Sequence, residues 1–225
     1  MNQWTNHSRW SRKLRNSEPR WPAFIAMLAV GALYFALHVD LIVGPRWLLP
    51  STIVTLIIPT VISHHTGRQN LARLLGLVVS ALLTIELITS VILLVRGLPS
   101  HRQSPVALMR SAASLWCTNI IVFALWYWRL DAGGPLERDA RQAHEDGSFL
   151  FPQMTMSSES RRSIGQEVWF PGFMDYLFLA FNTSTAFSPT DTPPLSSWAK
   201  LLMTVQSIIS LTVIAVLAAR AVNIL

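Results

Sequence analysis

Hydrophobic residues fall in long runs along this chain, rather than in the alternation that is typical of a half-buried β-strand. Five runs have about the 17 to 25 residues that an α-helix needs to cross a bilayer. These runs cover residues 23–43, 47–63, 71–95, 107–128 and 199–219. The pattern predicts an all-α integral membrane helical bundle with about five transmembrane helices.

Composition favours a membrane protein over a water-soluble globule. Only 13% of the 225 residues are charged and 51% are hydrophobic, which is too few charges to cover a globule of this size. The net charge of +6 does not indicate nucleic acid as a partner, because the basic residues flank apolar runs and form no stripe with interleaved aromatics. The expected partner is the lipid bilayer. The one cysteine, Cys117, lies within the fourth run and leaves no intramolecular disulfide possible.

The basic residues also predict an orientation in the membrane. Residues 1–22 form a basic tail, and residues 23–128 hold four spans, of which the first is longer than the apolar core of a signal peptide and is expected to stay uncleaved. Assigning alternate connections to two sides places thirteen Lys and Arg residues with the tail and five opposite. We therefore expect a multi-pass protein of the plasma (inner) membrane with a cytoplasmic N-terminus.

Residues 129–167 are rich in Gly, Ser, Asp, Glu and Arg and predict a polar, solvent-exposed loop. Residues 168–187, which follow, can either cross the membrane or dip in and return. A return places Lys200 in the cytoplasm and the C-terminus outside, whereas a crossing reverses both. The count of basic residues is thirteen against five in either case, so charge does not choose between the two topologies.

The stretch VWFPGFMDYLFLAFNTSTAF, residues 168–187, begins like a helix but does not end like a membrane span. Pro171 and Gly172 suit a helix N-terminus, and Asp175 falls in the first turn, where the helix dipole favours a carboxylate. After Phe181 come hydroxyl side chains, and later prolines prevent the helix from continuing into the last span. Non-helical backbone at membrane depth must be buried in protein or line water. We predict a re-entrant half-helix that ends after Phe181 and leaves as an extended, hydroxyl-rich segment.

Residues 173–225 resemble the pore half of the tetrameric potassium-channel superfamily, which has a pore helix, a Thr-led filter followed by Asp, and an inner helix. The filter of that family, TVGYGD, corresponds here to TAFSPTD, residues 185–191, with one residue more. The resemblance implies a homo-oligomer, a tetramer if channel-like, that conducts monovalent cations past rings of backbone carbonyls. The chain also resembles a group of uncharacterised bacterial polytopic membrane proteins that carry AFSPTD before a last span ending in ARAVNIL.

The sequence departs from the potassium-channel filter in ways that change the expected chemistry. Both filter glycines are missing, and Pro189 has a fixed φ and no N–H, which disfavours a ladder of alternating carbonyls. Side chains are better candidate ion ligands. They are Thr183, Thr185, Ser188, Thr190 and Asp191. With a cytoplasmic N-terminus the loop would enter from the cytoplasm, as in the inverted pores of glutamate receptors.

Two other functional classes remain open. A non-conducting scaffold or subunit would use the hydroxyls only for packing, because such groups often bond back to the preceding helical turn or across helices. A secondary transporter would use Glu86, an ionisable residue near the middle of the third run. Asp175 and Arg220 complete the intramembrane ionisable candidates, and Asn119 and Gln206 are predicted to form interhelical hydrogen bonds.

Motifs of the common enzyme classes do not occur in the sequence. There is no Walker loop, GxGxxG, GxSxG or HExxH motif, so we expect no enzyme activity and no cofactor. His64 and His65 lack the further ligands that a zinc site requires, so we expect no metal.

Overall fold

The computed structural model describes residues 18–65, 69–97, 104–141, 144, 147–166, 169–185 and 191–222. For residues 57, 60–65, 69 and 220–222, it describes the backbone alone. Within these ranges the chain is helical, with no β-strand beyond an isolated bridge between Phe149 and Pro194. The all-α prediction is confirmed for this part of the chain.

The described helices are numbered in chain order. They are α1 (Trp21–Phe35), α2 (Leu48–His65), α3 (Gln69–Gly97), α4 (Pro105–Leu130), α5 (Pro135–Ala140), α6 (Pro152–Thr155), α7 (Ser158–Ser163), α8 (Phe173–Thr185) and α9 (Ser197–Val222). Short 3₁₀ turns cover Val39–Leu41 and Asp131–Gly133.

Three described helices are long and apolar enough to cross a membrane, which is compatible with an integral membrane protein. Their candidate spans are Asn70–Gly97, Pro105–Gly133 and Ser197–Ala219, in α3, α4 and α9. They match the third, fourth and fifth predicted runs. The second run forms α2, which carries Pro59 inside the helix, and its crossing of the membrane stays a prediction.

The first predicted run, residues 23–43, does not form one continuous helix. Helix α1 has 15 residues, or about 22 Å of rise, which is short of the roughly 30 Å hydrocarbon core. Beyond it, the Nδ1 atom of His38 accepts the N–H of Asp40 at 3.4 Å and begins the 3₁₀ turn Val39–Leu41. Local side-chain bonds of this kind compete with helical ones, which explains why the apolar run is interrupted.

Helix α4 is the centre of the bundle, and α1, α3, α8 and α9 all pack against it. Its residues Val122, Phe123, Ala124 and Leu125 are fully buried because neighbours cover consecutive positions around the helix. Helix α3 runs antiparallel to α4. The two helices are joined by a hydrogen bond from the indole N–H of Trp126 to Thr84 Oγ1, at 2.8 Å.

The polar segment 129–167 folds back onto one end of the bundle, so its predicted solvent exposure is wrong for several residues. Asp131, Arg138, Phe149 and Phe151 are buried, with at most 3% of each side chain exposed. Phe149 contacts the rings of both Tyr176 in α8 and Trp198 in α9. The charged members are buried because each has polar partners that the overall polarity of the segment does not reveal. Arg138 pairs with Glu18, and the Asp131 carboxylate accepts hydrogen bonds from Ser148 and Tyr176.

Candidate functional site: the half-helix α8 and its return segment

Helix α8 begins where the sequence predicted a helix N-terminus. Asp175 lies in its first turn, and its Oδ2 atom accepts the backbone N–H of Gly172 at 2.7 Å. Burial raises the pKa of the Asp175 carboxyl above its ordinary value, and the bond from Gly172 opposes that shift. The carboxylate therefore caps the helix while most of its surroundings are protein.

Aromatic contacts show that α8 runs antiparallel to α4. Phe173, at the start of α8, packs edge-to-face on Trp128 near the end of α4, with ring centroids 5.9 Å apart. Phe181 makes the same kind of contact with Trp116, at 6.0 Å. Trp116 is the twelfth of the 26 residues of α4. Helix α8 therefore reaches about half the length of α4.

Hydrogen bonds show that α8 and α9 run in the same direction. Gln206 of α9 bonds to Ala180, and Ser210, one turn later, bonds to Ser184. Near the start of both helices, Trp198 and Tyr176 contact the same ring, that of Phe149. Both helices thus begin at the same end of the bundle.

The chain returns to that end between α8 and α9. Leu195 N–H donates to the carbonyl oxygen of Ser148 at 2.8 Å, and Leu150 N–H donates to that of Pro193 at 3.1 Å. The eleven residues 186–196 can reach roughly 36 Å when extended, whereas the 13 residues of α8 rise about 20 Å. A stretch of eleven residues is therefore long enough to cover the length of α8.

The hydroxyl-bearing residues after Phe181 remain helical, so the predicted exit at Phe181 is four residues too early. The Oγ1 atom of Thr183 donates to the carbonyl of Leu179 at 2.8 Å. The Oγ1 atom of Thr185 lies 3.1 Å from the carbonyl of Phe181. Threonine hydroxyls that bond back to the preceding turn are satisfied within a helix, so they do not force α8 to end before Thr185.

Gln206 joins three helices through its side chain and its backbone. Its Nε2 atom donates to the carbonyl of Ala180 at 2.7 Å and to Ser184 Oγ at 2.8 Å. Its Oε1 atom accepts the phenol of Tyr127, and its backbone carbonyl accepts Asn119 Nδ2 at 3.2 Å. The prediction that Asn119 and Gln206 form interhelical hydrogen bonds is confirmed.

The predicted pore-loop residues do not share one environment. Thr183 is buried against the rest of the chain, whereas Thr185 and Asp191 are exposed. Ser188 and Thr190 lie outside the described residues. Of the described candidates, only Thr185 and Asp191 could face an ion pathway formed outside the single chain.

Carbonyl oxygens in the last turn of α8 are bonded by hydroxyls of α9. Ser210 Oγ donates to the carbonyl of Ser184 at 2.6 Å, and Ser207 Oγ lies 3.4 Å from that of Thr183. A helix C-terminus leaves its last carbonyls without intrahelical partners. Helix α9 supplies those partners here and fixes the end of α8 at the middle of the bundle.

The other intramembrane candidates lie away from α8. Glu86 borders a small cavity with Tyr34 and Thr118, and its Oε1 atom lies 3.4 Å from Ser90 Oγ. Ser90 also donates to the carbonyl of Leu41 at 2.8 Å. Arg220 lies in the final turns of α9, and its side chain falls outside the described residues.

A buried ionic cluster at the start of α8 was missed by sequence reasoning. Arg138 donates to Glu18 Oε2 at 3.0 Å and to the backbone carbonyls of Trp128 and Asp131, at 2.8 and 2.9 Å. The phenol of Tyr176, the fourth residue of α8, donates to Asp131 Oδ2 at 2.6 Å. Burial raises the pKa of Tyr176 well above its ordinary value, so the phenol stays a donor.

No short sequence signal could have revealed this cluster, because Glu18 and Arg138 are 120 residues apart. Among the described residues, no group of three or more His, Cys, Asp or Glu side chains is arranged to hold a metal ion. Comparison with protein-family models, curated proteins and solved structures finds no match, so what the site does is inferred from its geometry.

Proposed function

We propose that this protein is a homo-oligomeric, channel-like membrane protein in which α8 enters the bilayer about halfway and residues 186–196 return to the side of entry. The observation that carries the proposal is the shared direction of α8 and α9, which start at one end of the bundle. A 13-residue helix is too short to cross the hydrocarbon core. If the chain returns to the side where α8 enters, α9 starts at that side and can cross the whole membrane.

The end of α8 offers a favourable field for a cation at mid-depth. The C-terminus of a helix carries a partial negative charge, and half-helices ending near the bilayer midplane use it to hold ions. Exposed Thr185 stands at that end, and exposed Asp191 stands on the return segment. We propose that these two residues, together with Ser188 and Thr190, line a pathway for monovalent cations through side-chain oxygens.

One short loop cannot enclose a pathway, so the proposal requires several copies, four if the potassium-channel resemblance holds. Helix α8 presents an apolar face to the outside of the chain, where Met174 is 63% exposed and Phe178 is 62% exposed. Leu201 and Ile208 of α9 are similarly exposed. Such surfaces suit lipid or another copy, and a symmetric assembly would bring the return segments together at its axis.

The ionic cluster supports entry from the cytoplasm. Glu18 of the basic tail bonds to Arg138, which contacts the ring of Tyr176 in α8. The tail and the start of α8 therefore share one end of the bundle. Since the distribution of basic residues predicts a cytoplasmic tail, α8 and α9 would both begin at the cytoplasmic face of the plasma membrane.

A non-conducting scaffold is the second candidate, and one observation favours it. The carbonyls of Thr183 and Ser184 are bonded by Ser207 and Ser210, so these α8 oxygens are directed at protein. In a scaffold, α8 would pack against protein along its length, with no water path beside it. The two candidates differ in whether assembled copies conduct.

Ion flux through purified protein in liposomes tests the proposal. We expect cation flux above that of empty liposomes, reduced severalfold or changed in cation selectivity by Asp191→Asn. Glu159→Gln removes an exposed acid of α7 and is the matched control, expected to leave flux unchanged. Absence of flux from folded oligomers, or flux that is indifferent to Asp191, would favour the scaffold.

A further inference from the structure

A cavity of about 110 Å³ opens between α1, α3, α4 and α5 at the end of the bundle that carries the basic tail. Its apolar wall includes Phe24, Met27 and Trp128, and its polar wall includes three arginines, Arg20, Arg73 and Arg129. The space is larger than a single water molecule needs and can admit a small polar group. The cavity lies apart from the proposed ion pathway.

Arg129 lies at the end of α4 and lines this cavity. Its Nη2 atom lies 3.4 Å from the sulfur of Met27, and its Nε atom is buried with no hydrogen-bond partner. Within the described chain, no acidic group lies within ion-pair distance of it. A partly buried guanidinium whose described contact is a weakly accepting sulfur carries an uncompensated charge, and an anion entering the cavity would relieve that cost.

The sequence makes room for this guanidinium by placing Gly76 opposite it. A Cβ atom at residue 76 would lie 1.7 Å from Arg129 Nη1, which no side chain can tolerate without displacing the arginine. Glycine within a helix lowers stability relative to alanine by about 1 kcal/mol. Gly76 therefore has a packing function, which is to admit the Arg129 head group beside α3.

The other charges at the cavity leave an excess of positive charge. Arg20 is paired with Asp139, at 3.2 Å between Nη2 and Oδ2. Among the described residues that line the cavity, Glu137 is the one acid. Arg73 is an exposed residue at the cavity rim, in the first turns of α3. Arg73 and Arg129 can therefore converge on one anion from two helices.

We propose that this cavity binds a phosphate oxyanion, carried by the head group of an anionic phospholipid. Guanidinium groups bind phosphate oxygens through paired, charge-assisted hydrogen bonds. Basic pockets between membrane helices on the cytoplasmic side are suited to anionic head groups. The apolar wall of Phe24, Met27 and Trp128 accommodates the glycerol and first acyl carbons. Free inorganic phosphate shares the oxyanion chemistry and is the other source of such a ligand.

Thermal unfolding of the full-length protein in mixed micelles tests the proposal, with three separate additions: phosphatidylglycerol, phosphatidylcholine and inorganic phosphate. We expect phosphatidylglycerol to stabilise the protein and phosphatidylcholine not to do so. Arg129→Gln should weaken the apparent affinity for phosphatidylglycerol roughly tenfold or more, since it removes a charge-assisted contact. If inorganic phosphate also stabilises the unaltered protein and fails to stabilise Arg129→Gln, that result would support the oxyanion site, with the free ion as its ligand.

Two further variants keep the test decisive if Arg129→Gln does not fold. Gly76→Ala should weaken binding by displacing the guanidinium, and Arg73→Gln should weaken it severalfold. Arg96→Gln, at the opposite end of α3, is the matched control and should bind like the unaltered chain. Equal stabilisation by both lipids, or unchanged binding in the Arg73, Arg129 and Gly76 variants, would overturn the proposal.

Discussion

The side-chain amide of Gln206 donates to the carbonyl oxygen of Ala180 at 2.7 Å, and this bond joins α9 to the middle of α8. The same nitrogen also bonds to Ser184, one turn further along α8. Tyr127 from α4 donates to the amide oxygen. One buried residue of α9 thus holds α8 parallel to itself and against the central helix.

Replacing Gln206 by methionine should destabilise the protein while keeping its volume. The variant loses three side-chain hydrogen bonds and leaves the Tyr127 phenol and the Ala180 carbonyl without these partners. Interhelical bonds of this kind contribute about 0.6 kcal/mol each and up to about 1.7, so we expect a loss of about 1–3 kcal/mol. Denaturant or thermal unfolding in detergent measures it.

Ser207→Ala serves as the control for that change, because Ser207 makes a single long contact of 3.4 Å to the same helix. Its effect should stay within about 0.5 kcal/mol. Equal stability of Gln206→Met and the unaltered chain would contradict the view that Gln206 locks α8.

Removing the charge of Arg138 should be among the most damaging changes outside the spans. Arg138→Met leaves the Glu18 carboxylate without its ion-pair partner and the backbone carbonyls of Trp128 and Asp131 without their donor. Breaking a buried ion pair on one side costs about 3–5 kcal/mol. Arg110→Met removes an exposed arginine and should change stability by less than about 0.5 kcal/mol. Similar unfolding curves for the two variants would show that the cluster is not structural.

The burial of Asp175 predicts how the stability of the protein changes with pH. Burial raises its pKa in the folded protein above the ordinary value of 3.8, so the folded state favours the neutral carboxyl. Its contribution to stability is therefore greatest at low pH and declines as pH rises through the folded pKa. Asp175→Asn keeps an acceptor for Gly172 and lacks this titration.

We expect Asp175→Asn to gain stability relative to the unaltered chain as pH rises from about 4 to about 7. Unfolding measured at several pH values checks the difference. Glu159→Gln, at an exposed carboxylate, should show little change. A stability difference for Asp175→Asn that is constant or shrinks with pH would contradict the burial of this group.

Glu86→Gln distinguishes a structural role of Glu86 from a transporter role. Glutamine can keep the contacts with Tyr34 and Ser90, so we expect a stability change below about 0.5 kcal/mol and unchanged flux in liposomes. Glu86→Leu, which cannot bond to either hydroxyl, should lose about 1–2 kcal/mol. Proton-dependent uptake that Glu86→Gln abolishes would instead establish the transporter.

Hydropathy and segment length predicted the structural features that each depend on one helix alone. The spans in α3, α4 and α9 follow directly from runs of apolar residues, and the start of α8 follows from Pro171, Gly172 and Asp175. The end of α8 was predicted four residues early because hydroxyls were expected to leave the helix. Their bonds to the preceding turn satisfy the hydroxyls, so these residues can stay in the helix.

Relationships between distant residues could not be predicted in the same way. Gln206 was expected to bond across helices, but its partners depend on α8 and α9 running parallel, which no local pattern encodes. The burial of Arg138 depends on Glu18, which lies 120 residues earlier in the sequence. Polarity alone therefore suggested a solvent-exposed loop where the structure has a packed ionic cluster.

Membrane sidedness of single cysteines tests the entry and return of α8 most directly. In a Cys117→Ala background, Ser160→Cys marks α7 before α8, and Ser197→Cys marks the first residue of α9, both at exposed positions. We predict that an impermeant maleimide applied to intact cells labels neither cysteine and that it labels both after lysis, while a reporter fused at the C-terminus reads out as external. Labelling of Ser197→Cys in intact cells with Ser160→Cys still protected would mean that α8 crosses the membrane, and would contradict the account.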